Sequence, residues 1–468
     1  MMNNTMNLME RLTAILTIIF MLSITACDDD GDTPAPEEGE YEIIQGDITE
    51  DITLDASKRY LLRGKVYVQD GAAITIPAGT IIFGEKNSDG TLIINRGGRI
   101  NAQGTASNPI VFTSQAPAGF RNRGDWGGVV ILGRAYNNNE ANPLIEGITG
   151  SAQSDNGIYG PDGASPADDE ESSGTMRYVR IEFAGIDLSV DNELNSLTMG
   201  AVGSGTEIDH IMVSYANDDA YEWFGGSVNH KYLIAYSTLD DDFDTDRGYN
   251  GKVQYAYVVR DPLQADISGS RAFESSSNSK ALNDLPSHGT AARHSKPVFS
   301  NVTILGPRLF RNDINGFYQA AVEINSSSDI QIYNSIIAGF PTAVRWNVQG
   351  PDALVKNNVF SGHAELTVVG GGSSVPGDFA AENHIEEDLE TIFGAFTGNG
   401  VYSTPPFFQD AISPYVAGAP DVSPIDPFFE NQPFYGAAGS ADHAGWEWSS
   451  GWINWDPLNE DYLGATTD

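Results

Sequence analysis

The sequence predicts an all-β fold: a right-handed parallel β-helix of stacked coils, with long loop excursions and a C-terminal cap. Composition, an internal repeat and a regular spacing of strand-like segments support this. Of the 468 residues, 50 are glycine, 23 are proline and only 8 are methionine. Glycine exceeds its usual share of about 7%. This composition favours many short strands and turns over long helices.

Two neighbouring segments, 66–83 and 92–112, establish the repeat. Each contains three strand-like runs separated by Gly, Asn, Asp or Pro. An offset of 26 aligns their apolar positions: Val66 with Leu92, Val68 with Ile94 and Ile74 with Ile100. A short insertion then brings Ile81–Phe83 onto Ile110–Phe112. Self-similarity of this kind indicates stacked units that each need a neighbour to bury their apolar side chains.

A second set of repeats shares the pattern Asn-x-x-x-x-Gly and begins at Asn301, Asn334 and Asn357. Asn at matched positions predicts a turn with unusual dihedral angles and an internal ladder of amides. Further strand-like segments are spaced about 22 residues apart, as one coil requires: Ile208–Val213, Tyr232–Tyr236 and Val253–Val259.

These repeats place the β-helix at 42–425, with loops at 137–175 and 262–297 and a Trp-rich C-terminal cap at 426–468. The first loop is rich in Asn, Gly, Asp and Ser, and the second is rich in Ser, Asn and His. Loops of this length inside a folded domain are usually functional or disordered. No boundary between domains is evident, so we expect one elongated domain.

The first 26 residues have the pattern of a secretory signal peptide. Arg11 precedes an apolar run, Leu12–Ile24, that is too short for a membrane span of about 20 residues. The following Cys27 ends a stretch that resembles the lipobox of bacterial lipoproteins. This resemblance implies that Cys27 is acylated and anchors the chain to a membrane. Residues 27–41 are acidic and rich in proline, so we expect a disordered tether.

The charge of the chain excludes one class of partner. The sequence has 64 Asp and Glu against 25 Lys and Arg, a formal net charge of −39. Nucleic acids are therefore not expected partners, because phosphate contacts require clustered Lys and Arg. Its one cysteine also excludes an internal disulfide and a cysteine–zinc cluster.

Several motifs resemble the β-helix surface lipoproteins of Bacteroidota, which belong to the pectin-lyase-like superfamily. The resemblance lies in GDWGGVVILGRA (124–135), RYVRIEFAG (177–185), the acidic segment 217–262 and GW-x-NWDP (451–457). It implies a parallel β-helix on an outer-membrane lipoprotein that faces the exterior. It implies no definite activity. A polysaccharide or an outer-membrane transporter is the partner that such a location suggests.

An acidic segment around 218–246 is the main chemical candidate. A coil of about 22 residues places Tyr221-Glu222 beneath Phe243-Asp244, and Asp219 near Asp241 or Asp242. Carboxylates one strand spacing apart, about 4.8 Å, repel unless a cation lies between them. Calcium suits this arrangement because it binds 6–8 oxygens in flexible geometry. The predicted calcium ligands are Asp218, Asp219, Glu222, Asp241, Asp242, Asp244 and Asp246, with Asn217 or Gln254 able to complete the shell.

Two catalytic alternatives remain open. A calcium-dependent polysaccharide lyase needs a basic residue beside the metal, and Arg247, Lys252, Arg260 and Arg271 are candidates, with Asp242 on the metal. A glycoside hydrolase needs two carboxyls about 5–9.5 Å apart, such as Asp219 with Asp242 or Glu222 with Asp244. The Gly-His-Gly motif of polygalacturonases is absent from the sequence. We therefore expect a binding or structural role without catalysis.

Aromatic residues give two further hypotheses. Trp446, Trp448, Trp452 and Trp455 lie within ten residues, and this cluster fits either a cap on an open end or a platform for sugar rings. Tyr221 and Tyr249, together with Gln254, are candidate ligand-binding residues because they lie near the acidic segment. Trp126 and Trp223 are expected to pack in the core.

Overall fold

A computed structural model describes residues 41–148, 155–163, 165–189, 192–371, 373–394, 409–440 and 447–463. Cys27, the predicted signal peptide and tether, and Trp446 lie outside these ranges. Within them, no helix combines the length and the hydropathy that crossing a membrane requires.

The chain forms one large sheet of 26 strands, whose pairings are parallel, wound into a β-helix. This confirms the predicted fold class. The sheet has three faces. Face one consists of β6 (Thr91–Ile94), β9 (Gly128–Leu132), β13 (Leu197–Gly200), β15 (Tyr221–Phe224), β17 (Phe243–Asp246), β19 (Phe273–Ser275), β21 (Ala320–Ile324), β24 (Thr342–Asn347) and β27 (Glu365–Gly370).

Faces two and three are joined at a corner, and several strands bend across it. Face two includes β2 (Ile52–Thr53), β4 (Ala73–Pro77), β7 (Arg99–Gln103), β22 (Gln331–Tyr333) and β25 (Leu354–Lys356). Face three includes β5 (Ile81–Gly84), β8 (Ile110–Ser114), β23 (Ile336–Ala338), β26 (Val359–Ser361) and β28 (His384–Glu386). The bent strands are β10 (Gly174–Glu182), β14 (Glu207–Ser214), β16 (Asn229–Tyr236), β18 (Lys252–Val259) and β20 (Val298–Leu305).

The remaining elements are short. β1 (Glu42–Ile48) pairs with β3 (Arg59–Val68) in the first coil, and β11 (Ile186–Ser189) forms an antiparallel hairpin with β12 (Asn192–Leu194). Two short helices flank β28: α1 (Phe379–Glu382) precedes it and α2 (Leu389–Phe393) follows it. The last described strand of the sheet ends at Glu386, earlier than the predicted limit of 425.

The register of the first repeat is confirmed in two of its three strands. Val66 pairs with Leu92 and Ile74 with Ile100, as the offset of 26 predicts. The third strand is shifted by one residue, because Ile82 pairs with Phe112. Both of these side chains lie in the central core. Inward and outward positions alternate along a strand, so matching the inward positions determines the register.

The corner between faces two and three is occupied by residues with positive φ. The column comprises Tyr178, His210, Tyr232, Tyr255, Asn301, Asn334 and Asn357, with φ between 48° and 65°. The three asparagines therefore adopt the unusual dihedrals that the repeat predicts. Their amides do not form the internal ladder, however. That ladder lies one position further along, where the N–H of Ser335 donates to Asn358 Oδ1 at 2.9 Å and the N–H of Asn358 donates to Asn383 Oδ1 at 3.0 Å.

The segments after the coils run along their side. The amide of Asn301 donates to the carbonyl of Phe434 at 3.0 Å, and that of Asn334 donates to the carbonyl of Pro420 at 2.7 Å. Further on, Trp452 is fully buried and lies edge-on to the corner residue Tyr178. The described part of the C-terminal region therefore packs against the flank of the coils.

One predicted loop contains a strand. The range 262–297 includes β19, whose Phe273 packs above Phe243 inside the coil with ring centroids 5.3 Å apart. The prediction of an uninterrupted loop is wrong here, because three residues are too short a run for alternation to reveal. The strand adds Glu274 to face one.

Candidate functional site: an acidic column on face one

The outward positions of face one carry a column of acidic residues. In successive coils, Glu222 pairs with Asp244, Asp244 with Glu274, and Glu274 with Glu323. The neighbouring inward positions hold Tyr221 and Phe243. Because side chains alternate along a strand, this inward aromatic column directs the carboxylates outward. The structure thus confirms the expected stacking of Tyr221-Glu222 beneath Phe243-Asp244.

A second ladder lies at the turn that leads into face one. Each side chain accepts a hydrogen bond from the backbone N–H of the corresponding residue in the next coil. The N–H of Asp219 donates to Asn195 Oδ1 at 2.9 Å, and the N–H of Asp241 donates to Asp219 Oδ1 at 2.8 Å. The N–H of Arg271 then donates to Asp241 Oδ1 at 2.5 Å. Asp219 and Asp241 therefore connect the coils as well as contributing charge.

The two ladders converge on two overlapping carboxylate groups. One consists of Asp218, Asp219 and Asp240, and the other of Asp219, Glu222 and Asp244. Within each group, one oxygen of every carboxylate lies within 4.8 Å of the others. Asp219 is common to both groups. Oδ1 of Asp240 and Oδ1 of Asp244 are buried and have no hydrogen-bond partner among the described residues.

More carboxylates approach from the excursions. Glu146, from the loop before β10, and Glu193, from β12, are among the groups whose charge raises the pKa of Asp218. Glu193 N–H donates to Glu146 Oε1 at 3.4 Å, which joins the two excursions. Asp187 acts on the same pKa. Sequence reasoning missed all three, because neither repeat spacing nor proximity in sequence connects them to the column.

The electrostatics of the cluster are strongly unfavourable to its charged form. Burial, followed by neighbouring carboxylates, raises the pKa of Asp218, Asp219 and Glu222 well above their ordinary values. Burial also raises the pKa of Asp240 and Asp241 to about 7. Burying several carboxylates without counter-charge is costly. The cluster is therefore suited to a bound cation.

Arg271 neutralises one end of the column. Its guanidinium lies 2.8 Å from Glu274 and 2.8 Å from Glu323, and 3.7 Å from Asp241. The environment of Asp219 and Glu222, in the preceding coils, is different. The strongest influences on the pKa of Asp219 and Glu222 are burial and other carboxylates. The unbalanced negative charge is thus concentrated around these two residues.

Asp242 does not belong to the cluster, although the sequence places it among the metal ligands. Its carboxylate is fully buried and lies 3.0 Å from the guanidinium of Arg260, which is also fully buried. The guanidinium of Arg260 also lies over the ring of Tyr318. Asp242 directly follows Asp241, a residue of the second ladder. Because adjacent side chains point to opposite sides of the backbone, the Asp242 carboxylate points away from the cluster. Arg260 is consequently unavailable as a base for an external polymer.

The remaining cluster candidate, Asp246, lies at the end of β17 and pairs with Arg247, whose Nε is 3.2 Å away. Burial raises the pKa of Asp246 to about 6. Lys252, on face two, is 3.3 Å from Asp426. The two candidate bases Arg247 and Lys252 therefore each have a carboxylate partner.

The three predicted ligand-binding residues occupy structural positions. Tyr221 and Tyr249 are fully buried, and their hydroxyls donate to backbone carbonyls, that of Tyr249 to Val228 at 2.9 Å. Gln254 is also fully buried, and its amide donates to the carbonyl of Glu430 at 2.8 Å. The prediction that they face a ligand does not agree with this burial. Side chains alternate between the two sides of a strand, so Tyr221 faces the interior when its neighbour Glu222 faces outward.

The tryptophans form part of the packing. Trp126 and Trp223 are fully buried, as expected. Trp448 and Trp452 lie against the aromatic corner column, with Trp448 5.2 Å from the ring of Tyr232. These two rings therefore cover the flank of the coils.

The comparisons with known proteins identify the family. Residues 46–401 match the pectate-lyase-like β-helix domain. The chain belongs to this family. Searches of curated proteins and of solved structures gave no match. The matched range contains the acidic column and every strand of the large sheet except the start of β1.

Proposed function

We propose that this chain is a non-catalytic binding protein of the bacterial cell surface, in which calcium ions stabilise the acidic column and the β-helix binds extracellular polysaccharide. The observation that carries the metal proposal is the pair of carboxylate groups that share Asp219. The unpartnered oxygens of Asp240 and Asp244 support it, because buried acceptors require a donor or a cation.

Calcium fits the donor set better than a transition metal does. The groups consist of carboxylate oxygens, with the amide of Asn195 in contact with Glu222. Hard oxygen ligands in irregular geometry are the environment that calcium accepts, whereas magnesium demands a regular octahedron. Asp219, shared by the two groups, would contact cations on either side of it.

Binding without catalysis is supported by the partners of the basic residues. A lyase requires a base that reaches the substrate beside the metal. Arg260 is buried against Asp242, and Arg271 lies within contact of Glu274 and Glu323. Each of these guanidiniums is therefore held by carboxylates.

The cell-surface location rests on the lipobox-like sequence that ends at Cys27. We propose that acylated Cys27 anchors the chain in the outer membrane, with the acidic segment 28–41 as a tether. The test is metabolic labelling with a fatty acid analogue in a bacterial host. Label is expected on the wild-type chain and not on Cys27→Ala. Equal labelling of both proteins would contradict the anchor.

The metal proposal is tested by thermal unfolding of residues 41–468 in chelator, in calcium and in magnesium. Calcium is expected to raise the melting temperature, because a ligand bound only by the folded state stabilises it. The double variant Glu222→Gln, Asp244→Asn is expected to lose this increase. Glu207→Gln is the matched control, because Glu207 is exposed on face two. Equal melting curves in chelator and calcium would refute the metal site.

One observation favours a lyase as a second candidate. Arg271 is partly exposed and lies beside the column, 2.8 Å from Glu274. An assay with uronic acid polymers and calcium, read by ultraviolet absorbance of unsaturated products, separates the two functions. The binding proposal predicts retention of the polymer without product. Product that disappears in Arg271→Lys and in the double variant would establish the lyase instead.

A further inference from the structure

A cavity of about 420 Å³ lies beside the residues that follow β10 and β14 at the end of face three. Most of its lining residues lie in the segment between β8 and β9, in the turn after β14 and in the loop after β18. Its polar and aromatic lining includes Arg121, Asn122, Arg123, Tyr215, Asp261 and Gln264. A volume of this size is typical of sites that bind small molecules.

The two arginines of this cavity are held by groups other than carboxylates. Arg177, Arg260 and Arg271 each pair with a carboxylate. In the part of the chain that the structure describes, Arg121 and Arg123 form no salt bridge. Arg121 donates instead to three backbone carbonyls, with Nε 3.1 Å from the carbonyl oxygen of Ala116.

Arg123 is held in a similar way. Its Nη1 donates to the carbonyls of Ala216 and Ser237, and its Nη2 donates to the hydroxyl of Ser237 at 2.8 Å. Its guanidinium also lies over the ring of Tyr215, 5.2 Å from the centroid. Among the described residues, Nε of Arg123 and Nη2 of Arg121 donate no hydrogen bond. Each arginine thus retains N–H groups for a ligand while its position is fixed by the protein.

Among the described residues, neither guanidinium has a carboxylate within salt-bridge distance, although Glu182 acts on Arg121 and Asp261 acts on Arg123 from further away. Burial lowers the pKa of Arg121, and it lowers the pKa of Arg123 to about 10. Buried charges are normally paired, because desolvation is otherwise uncompensated. In a chain of net charge −39, two arginines in one cavity without a paired carboxylate provide a specific site for an anion.

We propose that this cavity binds the carboxylate of an acidic saccharide unit. Arg121 and Arg123 contact the carboxylate, and the exposed amides of Asn122 and Gln264 donate to or accept from the hydroxyls. The Tyr215 ring, stacked on Phe183 with centroids 5.1 Å apart, forms the apolar wall. The saccharide part of this inference rests on the proposed polysaccharide binding, whereas the anion site does not depend on calcium.

Asp261 provides a test that loss of folding cannot imitate. It is the acidic residue of the lining, and its Oδ1 accepts a hydrogen bond from the N–H of Leu263 at 2.9 Å. Asp261→Asn keeps this acceptor and removes a charge that repels an anionic ligand. Its affinity for an anion is therefore expected to increase by about threefold to tenfold.

The experiment is isothermal titration calorimetry of residues 41–468 with sodium glucuronate, and with methyl glucoside as the neutral probe. Glucuronate is expected to bind and methyl glucoside to give no heat. Gln264→Ala should weaken glucuronate binding, and Asp261→Asn should strengthen it. Asp284→Asn is the matched control, since it removes the same charge from an exposed position in the loop 276–295.

Three results would overturn the proposal: no heat with glucuronate, equal heats for glucuronate and methyl glucoside, or no gain in Asp261→Asn relative to Asp284→Asn. Titration with polyglucuronate distinguishes a polymer ligand from a free sugar acid. Only a site that leaves room for the neighbouring sugar units binds the polymer with an affinity per sugar unit similar to that for glucuronate. The calcium melting curves report separately on the column. If calcium raises the melting temperature but glucuronate does not bind, only the cavity proposal is refuted. If glucuronate binds but calcium does not raise the melting temperature, only the metal proposal is refuted.

Discussion

Asp241 donates its backbone N–H to the carboxylate of Asp219, 2.8 Å away in the preceding coil. One side chain therefore both joins two coils and lies in the two carboxylate groups of the cluster. The hydrogen bond needs an oxygen, whereas the metal site needs the negative charge. These two roles can be separated by substitution.

Asp219→Asn keeps an oxygen for the N–H of Asp241 and removes the charge shared by both groups. Without calcium, the variant is expected to melt at a higher temperature than the wild type, because like-charge repulsion is reduced. With calcium, the increase in melting temperature should be much smaller than in the wild type. Thermal unfolding in chelator and in calcium measures both effects. A purely structural Asp219 would leave the response to calcium unchanged.

The buried pair of Asp242 and Arg260 predicts a large loss of stability when one partner is removed. Asp242→Asn leaves the guanidinium of Arg260 buried without its counter-charge, which is expected to reduce the free energy of unfolding by about 3–5 kcal/mol. Urea unfolding measures this change. Adding Arg260→Met should recover part of the loss, since an apolar side chain needs no partner. An Asp242→Asn midpoint equal to that of the wild type would contradict the pairing.

His230 predicts a dependence of stability on pH. Its Nε2 accepts from the indole of Trp223 at 3.0 Å, and its Nδ1 lies 3.2 Å from the carbonyl of Ile208. Burial lowers the pKa of His230 to about 4, although the contact with the Ile208 carbonyl and the negative charge of Asp209 act to raise it. Below pH 6.5 the unfolded state binds a proton that the folded state excludes. The free energy of unfolding therefore falls by up to about 3 kcal/mol between pH 6.5 and pH 4.

The matched variant for this pH effect is His230→Gln, which does not titrate but can both donate to Ile208 and accept from Trp223. Urea unfolding at several pH values is expected to show a shallower decline for the variant than for the wild type. Other titrating groups affect both proteins equally, so the difference isolates His230. Parallel curves would show that His230 does not control this decline.

Asn334 combines two roles at the corner, and two substitutions distinguish them. Its φ is 48°, and its amide donates to the carbonyl of Pro420 at 2.7 Å. Asn334→Gly should cost about 1 kcal/mol for the lost hydrogen bond, whereas Asn334→Ala should cost about 1–2 kcal/mol more because of the left-handed backbone. Chemical denaturation measures both values. Equal losses would show that the dihedral carries no strain.

Periodicity was sufficient to predict the fold and the centre of the cluster. Alternation along strands and a coil of about 22 residues placed Glu222 beneath Asp244, and the structure has the same pairing. The rest of the site depends on non-repeating segments. Glu146 and Glu193 reach the cluster from excursions whose paths no spacing predicts. Glu274 was missed because its three-residue strand lies inside a polar segment.

Errors about individual residues had a different cause. Proximity in sequence suggested Asp242 as a ligand, but neighbouring residues at a turn project to opposite sides of the backbone. The same reasoning suggested Tyr221, which lies inside the coil. The contacts of both residues are determined by packing between coils.

The end of the chain completes the packing of its beginning. The carbonyl of Tyr462 accepts from Arg59 Nε at 2.9 Å, and its hydroxyl donates to Glu182 Oε1 at 2.7 Å. The first coils leave the ribosome long before this tyrosine is synthesised. Until Tyr462 is synthesised, Glu182 therefore lacks one of its hydrogen-bond donors. A chain that stops before Tyr462 would leave this flank uncovered and therefore open to proteases.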